Sequence, residues 1–259
     1  MIYAIIGAVF VGLSLGLFGS GGSILTVPIL KYLFHHDDKT AIAESLAIVG
    51  GIALLTVIPY AKAKLIEWRV ALLFGVPGVI GTYGGAWLSA FVEGFVQLLV
   101  FAVVMLSAAI MMWRAKPPHT IPSSKAAHQT SISLIALEGL VIGMLTGFVG
   151  VGGGFLIVPA LVLLAGLPMR SAVATSLVII AAKSAVGFGK YVDVLEGSGA
   201  SIDWPLIAIF ITVGAVGSFA GRTLSTRINQ HVLKRCFAVF LVVMSLFMLV
   251  REGSSLFAS

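Results

Sequence analysis

Cysteine occurs once, at Cys236, and Asp, Glu, Lys and Arg together make up only 10% of the 259 residues. One cysteine excludes an intrachain disulfide and any multi-cysteine metal site. Charge this sparse excludes a water-facing globule, because soluble domains carry about 25% charged residues. Histidine is also scarce. The five, His35, His36, His119, His128 and His231, fall in predicted loops or at a span edge, which argues against an intramembrane enzyme. There is no P-loop, no βαβ unit around the glycines and no large polar domain or long charged tail. The alternating pattern of a membrane β-barrel is missing as well.

What is abundant is apolar. Hydrophobic residues are 59% of the chain and its mean hydropathy is +1.12. Apolar runs near 20 residues recur, long enough to cross about 30 Å of hydrocarbon. The expected fold class is an all-α polytopic membrane protein. The first run starts almost at Met1 with no basic residue before it, so it reads as a retained span rather than a signal peptide. The net charge of +6 fits loops on the cytoplasmic side and needs no nucleic acid.

The chain repeats itself. At an offset of 131, "GLFGSGGSILTVPIL" (Gly16–Leu30) lies over "GFVGVGGGFLIVPAL" (Gly147–Leu161), and "KTAIAESL" over "RSAVATSL". At an offset of 136, "IEW" (Ile66–Trp68) meets "IDW" (Ile202–Trp204), and "GVIGTYGGAWLS" meets "GAVGSFAGRTLS". The domains expected are a first membrane repeat over 1–113, a linker over 114–131 and a second repeat over 132–259. Each repeat divides into about five transmembrane or half-membrane segments. They are 2–18, 23–34, 41–60, 68–90 and 95–113, then 132–149, 154–167, 172–190, 203–221 and 232–250. The second of each set is short, spanning about 20 Å at helical rise, and reads either as a half-helix or as one arm of a re-entrant hairpin.

An odd number of crossings per half, whether or not the short segment spans fully, inverts one repeat relative to the other. With the N-terminus outside, the inner loops hold Lys62, Lys64, Arg69, Arg114, Lys116, Lys125, Arg170, Arg222, Arg227, Lys234 and Arg235, and the outer loops only Lys31, Lys39, Lys190 and Arg251. Positive charge collects on the cytoplasmic side. Two inverted repeats are therefore expected in an inner or plasma membrane, with both termini outside and the linker cytoplasmic.

Glycine-broken segments in matching positions of two inverted halves point to a transport site near the midplane. Non-helical backbone survives in a bilayer only inside protein or beside water, and the unpaired N–H groups that open a helix attract anions. The expected substrate-binding residues are Gly19, Gly21, Gly22 and Ser23 with Gly150, Gly152, Gly153 and Gly154, the two loops meeting at one site. Pro28 and Pro159 leave two versions open: short helices starting at Ser23 and Gly154 with the prolines inside them, or helices starting at the prolines. Ala8/Gly12/Gly16, Gly139/Gly143/Gly147, Gly81/Gly85 and Gly217/Gly221 recur every four residues and read as packing seams.

"GSGGSILTVP" and "GVGGGFLIVP", followed by "AESL" and "ATSL", resemble the sulfite exporter TauE/SafE family of membrane permeases over essentially the whole chain. The resemblance implies movement of sulfite, sulfonates or other small organosulfur anions. Ser23 opposite Gly154, and Glu44 opposite Thr175, make the two half-sites unlike.

Charged residues at membrane depth are functional candidates by default. Lys183 lies two turns after Ser176 on one face, a point charge and a neutral donor suited to an oxyanion. Ser45 is the matching donor of the first half. Glu138 is a candidate carrier of a coupling proton. Glu44, about one turn from a span end, reads as a solvated mouth position. "HHDDK" (His35–Lys39) reads as a solvated loop rather than a metal site, Trp68 and Trp204 as interface anchors, and Cys236 as packing. No metal and no cofactor are expected. The functional expectation is a secondary transporter, an exporter by the sign of the membrane potential, working by alternating access. An anion channel is the nearest alternative, ahead of an intramembrane enzyme or a membrane subunit that moves nothing.

Overall fold

In the computed structural model, residues 2–19, 21–114, 132–150, 154–163, 165–196 and 201–256 are described. The linker expected over 114–131 therefore lies almost wholly outside the described residues. The helices are α1 (Ile2–Phe18), α2 (Gly21–Pro28), α3 (Asp38–Lys62), α4 (Trp68–Ser89), α5 (Gly94–Arg114), α6 (Ile132–Val149), α7 (Gly154–Leu163), α8 (Met169–Glu196), α9 (Trp204–Arg227) and α10 (Gln230–Leu256). A π-helical turn over Ile29–Leu33 extends α2. The protein is an all-α polytopic membrane protein, and six of its described helices are long and apolar enough to span a bilayer. The short helices start at the glycines and keep Pro28 and Pro159 inside them, the first of the two versions left open. Proline lacks the N–H an α-turn needs, and the backbone passes into the wider π turn directly after Pro28.

Helix contacts come in pairs that exchange the halves. α1 packs on α9 and α6 on α4; α3 packs on α9 and α8 on α4; α3 meets α8, α2 meets α7, and α5 meets α10. Residue pairs give the directions. Gly12 and Gly16 abut Gly214 and Ser218, so α1 and α9 run parallel. Gly139, Gly143 and Gly147 abut Phe74, Gly78 and Thr82, so α6 and α4 run parallel. Gly50 meets Ser184 while Gly187 meets Leu46, so α3 and α8 run antiparallel. Gly21 and Gly22 lie against Phe18 and Leu15, which folds α2 back along α1.

The four-residue glycine spacings are packing seams. A Cβ on Gly12, Gly16, Gly81, Gly85, Gly139, Gly143 or Gly147 would fall on a backbone carbonyl of the facing helix. Such close approach is how membrane helices associate without a hydrophobic drive between them. Hydroxyls also link helices: Thr56 Oγ1 on α3 lies 2.6 Å from Ser218 Oγ on α9, and Thr82 Oγ1 donates across the α4–α6 seam to Gly143 O at 3.3 Å. Large apolar side chains cover the outside, with Trp68 and Trp204 more than half exposed at the starts of α4 and α9. Cys236, expected to pack, is exposed on α10. That helix is apolar on nearly every side, so its sequence does not say which side faces out.

Candidate functional site

α1 and α6 each end on a glycine in left-handed backbone, Gly19 at φ 72° and Gly150 at φ 71°. An L side chain is disfavoured there. Gly19 N–H donates to Leu15 O at 2.7 Å and Gly150 N–H to Thr146 O at 2.9 Å, which closes each helix as a C-terminal cap. Both breaks are held by the opposite pair of long helices. Ser176 Oγ, on α8, donates to Val173 O at 2.8 Å and to Gly19 O at 3.3 Å. Ser45 Oγ, on α3, donates to Ile42 O at 2.8 Å and to Gly150 O at 3.4 Å. Each hydroxyl has one proton, so the longer bond is a shared one.

Two tyrosines complete the arrangement. Tyr60 OH donates to Gly16 O at 3.2 Å; Tyr191 OH donates to Phe148 O at 3.1 Å and Gly147 O at 3.4 Å. Tyr60 and Tyr191 stand at the same 131-residue offset as the glycine loops (191 − 60 = 131), so the repeat in the sequence pairs them. Tyr60→Phe and Tyr191→Phe are each expected to cost about 1 kcal/mol, because a carbonyl inside the bundle loses its partner. Thermal unfolding in detergent checks this, and the two losses should be alike.

Ser23, Gly21, Gly22 and Gly154 are buried at the starts of α2 and α7. A Cβ on Gly21 or Gly22 would crowd the carbonyls of Ser14 or Val11, so these glycines also seat α2 on α1. Gly152 and Gly153 lie outside the described residues.

The breaks do not meet at one site. Gly19 touches α8 at Val173 and Ser176, whereas Gly150 touches it at Tyr191. Ser176 and Tyr191 are fifteen residues apart (191 − 176), about 22 Å of helix. The two breaks, expected from the sequence to share one midplane cavity, thus lie apart, toward opposite ends of the α3–α8 pair. The reason is direction. α1 and α6 are of similar length but run oppositely, so their ends fall at opposite depths.

Lys183 joins the Gly150 half-site, not Ser176. It is 0% exposed among α4, α6 and α8, and its Nζ donates to Thr146 Oγ1 at 2.7 Å, one turn before Gly150. Its Cδ lies beside Gly78. Among the described residues no carboxylate pairs with Lys183. Glu138, half-buried on α6, has no ion-pair or hydrogen-bond partner among them.

Glu44 is not a solvated mouth residue. It is 0% exposed, with Oε2 2.7 Å from His36 Nδ1 and Oε1 accepting Asp203 N–H at 2.8 Å. Its counterpart Thr175 accepts Glu67 N–H at 3.0 Å. Both side chains receive the N–H that precedes α9 or α4. The unlike pair therefore shares one anchoring task, and the carboxylate is long enough to hold His36 as well. His36 lines an open pocket of about 680 Å³ with His35, Asp37, Asp38 and Lys39, while Asp38 pairs with Lys31 at 2.8 Å. No group of three His, Cys, Asp or Glu suited to a metal occurs among the described residues.

The family model described as "Sulfite exporter TauE/SafE" matches residues 4–248. A probable membrane transporter protein of Xylella fastidiosa is 31% identical over 254 residues, covering 96% of this chain and 94% of that one. Another from Methanocaldococcus jannaschii is 30% identical over 251 residues, covering 93% and 92%. YunE of Bacillus subtilis, also described as a probable membrane transporter protein, is 27% identical over 259 residues, covering 92% of each. No solved structure matches at a significant level.

Proposed function

The chain belongs to the sulfite exporter TauE/SafE family, and on that premise we propose that this membrane transporter moves a small sulfur-containing anion outward by secondary transport. Its relatives are described as transporters rather than enzymes. The observation that carries the anion reading is Lys183. A fully buried lysine sits one turn beneath a helix break, with one neutral hydroxyl as its hydrogen-bond partner among the described residues. A charge in such a place is expensive unless something of opposite sign comes to it.

In this reading the anion occupies the two half-sites in turn. One is built from Gly150, Gly154, Ser45 and Lys183, with Gly152 and Gly153 assigned to it from the sequence alone, the other from Gly19, Gly21, Gly22, Ser23 and Ser176. Access alternates as one repeat shifts against the other about the α3–α8 contact. The antiparallel course of α3 and its counterpart α8 supports repeats inserted in opposite senses. The excess of lysine and arginine favours both termini outside and the linker of 114–131 inside an inner or plasma membrane. Energy comes from an ion gradient or from the anion's own gradient, and the inside-negative potential favours exit.

Counterflow in liposomes with sulfite, sulfate, thiosulfate and simple sulfonates, with and without a pH gradient, tests the reading. Saturable exchange of at least one anion is expected. No exchange of any of them counts against it, and flux that never saturates favours a channel. Glu138 carries the coupling proton in this scheme. Glu138→Gln is expected to keep exchange at symmetric pH while losing acceleration by a pH gradient. A variant that responds to the gradient like wild type removes Glu138 from the mechanism.

A further inference from the structure

Where α1 and α3 end and α8 begins, a closed cavity of about 20 Å³ lies beside the Gly19 break, lined by Tyr60, Arg170, Val173, Arg222 and Ser225 among others. Val173 is the residue that Gly19 touches, and Tyr60 holds Gly16. Each guanidinium carries five N–H donors. Arg170 gives one Nη2 bond to Thr226 O at 2.7 Å. Arg222 gives one Nη2 bond to Pro59 O at 3.3 Å and stacks over the Tyr60 ring at 5.0 Å. The Nε atoms of both arginines are buried and have no hydrogen-bond partner. Neither side chain has a carboxylate partner among the described residues. Two adjacent cations with unmet buried donors, and no acid between them, is a costly arrangement in an empty protein.

The feature is one-sided. At the repeat offsets, Arg170 corresponds to Lys39 (170 − 131) and Arg222 to Ala86 (222 − 136). Lys39 donates to Ser89 O at 3.1 Å, much as Arg170 holds the end of α9, but the pocket it shares with Lys31 and Arg251 also holds Asp37 and Asp38, and Asp38 pairs with Lys31. Cations therefore line both pockets, but only the one with Arg170 and Arg222 is lined by two guanidiniums and no acid. Guanidinium forks match the oxygens of sulfonate, sulfite and sulfate in a way that ammonium does not.

We propose that Arg170 and Arg222 form an oxyanion capture site at this mouth, next to the Gly19 half-site. The proposal rests on the reading that the chain carries a small anion. The cavity as it stands has room for about one water, so it is the closed form. The Arg–carbonyl bonds tie α8 to α9 and α9 to the end of α3. An anion that takes those N–H groups loosens both ties and opens the mouth it enters by.

The test is equilibrium binding of radiolabelled sulfate and methanesulfonate to the full chain in nanodiscs, with counterflow measured in parallel. Arg170→Gln and Arg222→Gln are each expected to weaken binding about tenfold or more, the loss of one charge-assisted hydrogen bond. Lys39→Gln should stay within about twofold of wild type. Where an arginine variant fails to fold, phenylglyoxal labelling of wild type replaces it: the anion should protect Arg170 and Arg222 and leave the exposed Arg235 reactive. Unchanged affinity in both variants, or no protection, overturns the site. If wild-type counterflow is intact and both variants match it, the capture site falls and the transport reading stands. If wild type neither binds nor exchanges any anion, both fall.

Discussion

Lys183→Met should yield a folded protein at least as heat-stable as wild type, with anion exchange reduced to background. Methionine keeps most of the stem that lies between Gly78 and the α6 backbone and deletes only the ammonium. Thr146 Oγ1 is not orphaned, because it also donates to Gly143 O at 3.0 Å. Removing a buried charge that lacks an ionic partner relieves a desolvation penalty of several kcal/mol, against about 1 kcal/mol for the lost hydrogen bond. Stability and activity therefore move in opposite directions, which a packing role for Lys183 does not produce. Melting temperature and liposome counterflow on the same preparation decide it. Wild-type flux from the methionine variant excludes Lys183 from the anion's path. A variant that loses several kcal/mol of stability makes Lys183 a structural residue.

Gly143→Val should fail to give folded protein at all. A Cβ at Gly143 would coincide with the Gly78 carbonyl oxygen on α4, and Gly139 and Gly147 on either side are just as close to Phe74 and Thr82. The clash is with backbone, so no rotamer relieves it. Two helices would have to separate along the whole seam, losing the Thr82–Gly143 bond as well. The cost belongs with the rare substitutions above about 4 kcal/mol. Gly84→Ala, on the same α4, has nothing within 4 Å of its added Cβ and should gain up to about 1 kcal/mol from helix propensity. Size-exclusion profiles in detergent separate the two outcomes. A monodisperse valine variant with a wild-type melting curve would mean that α4 and α6 do not pack as described.

Membrane spans were the most legible feature, because a bilayer demands length and apolarity and both are written residue by residue. The segment expected over 68–90 is the helix Trp68–Ser89, and that expected over 2–18 is Ile2–Phe18. The seams were legible for a related reason: small residues every fourth position have one main use between membrane helices. Glu44 was misread because distance from a span end gives depth but not surroundings. Its carboxylate is enclosed by Asp203 and His36, 159 and 8 positions away in the chain. Ser176 and Lys183 share a helical repeat on α8, but the two turns between them carry Ser176 to the Gly19 break and Lys183 to the Gly150 break.

By itself the sequence determined that the chain is a bundle of apolar helices in two related halves, broken by glycine at matching points. Those features are local: hydropathy, periodicity and a left-handed turn need only neighbours in the chain. Where the breaks lie relative to each other was decided by the tertiary structure alone. Oppositely running α1 and α6 carry matching glycine motifs to opposite depths, and helix direction enters through packing between halves, which no single stretch of sequence contains.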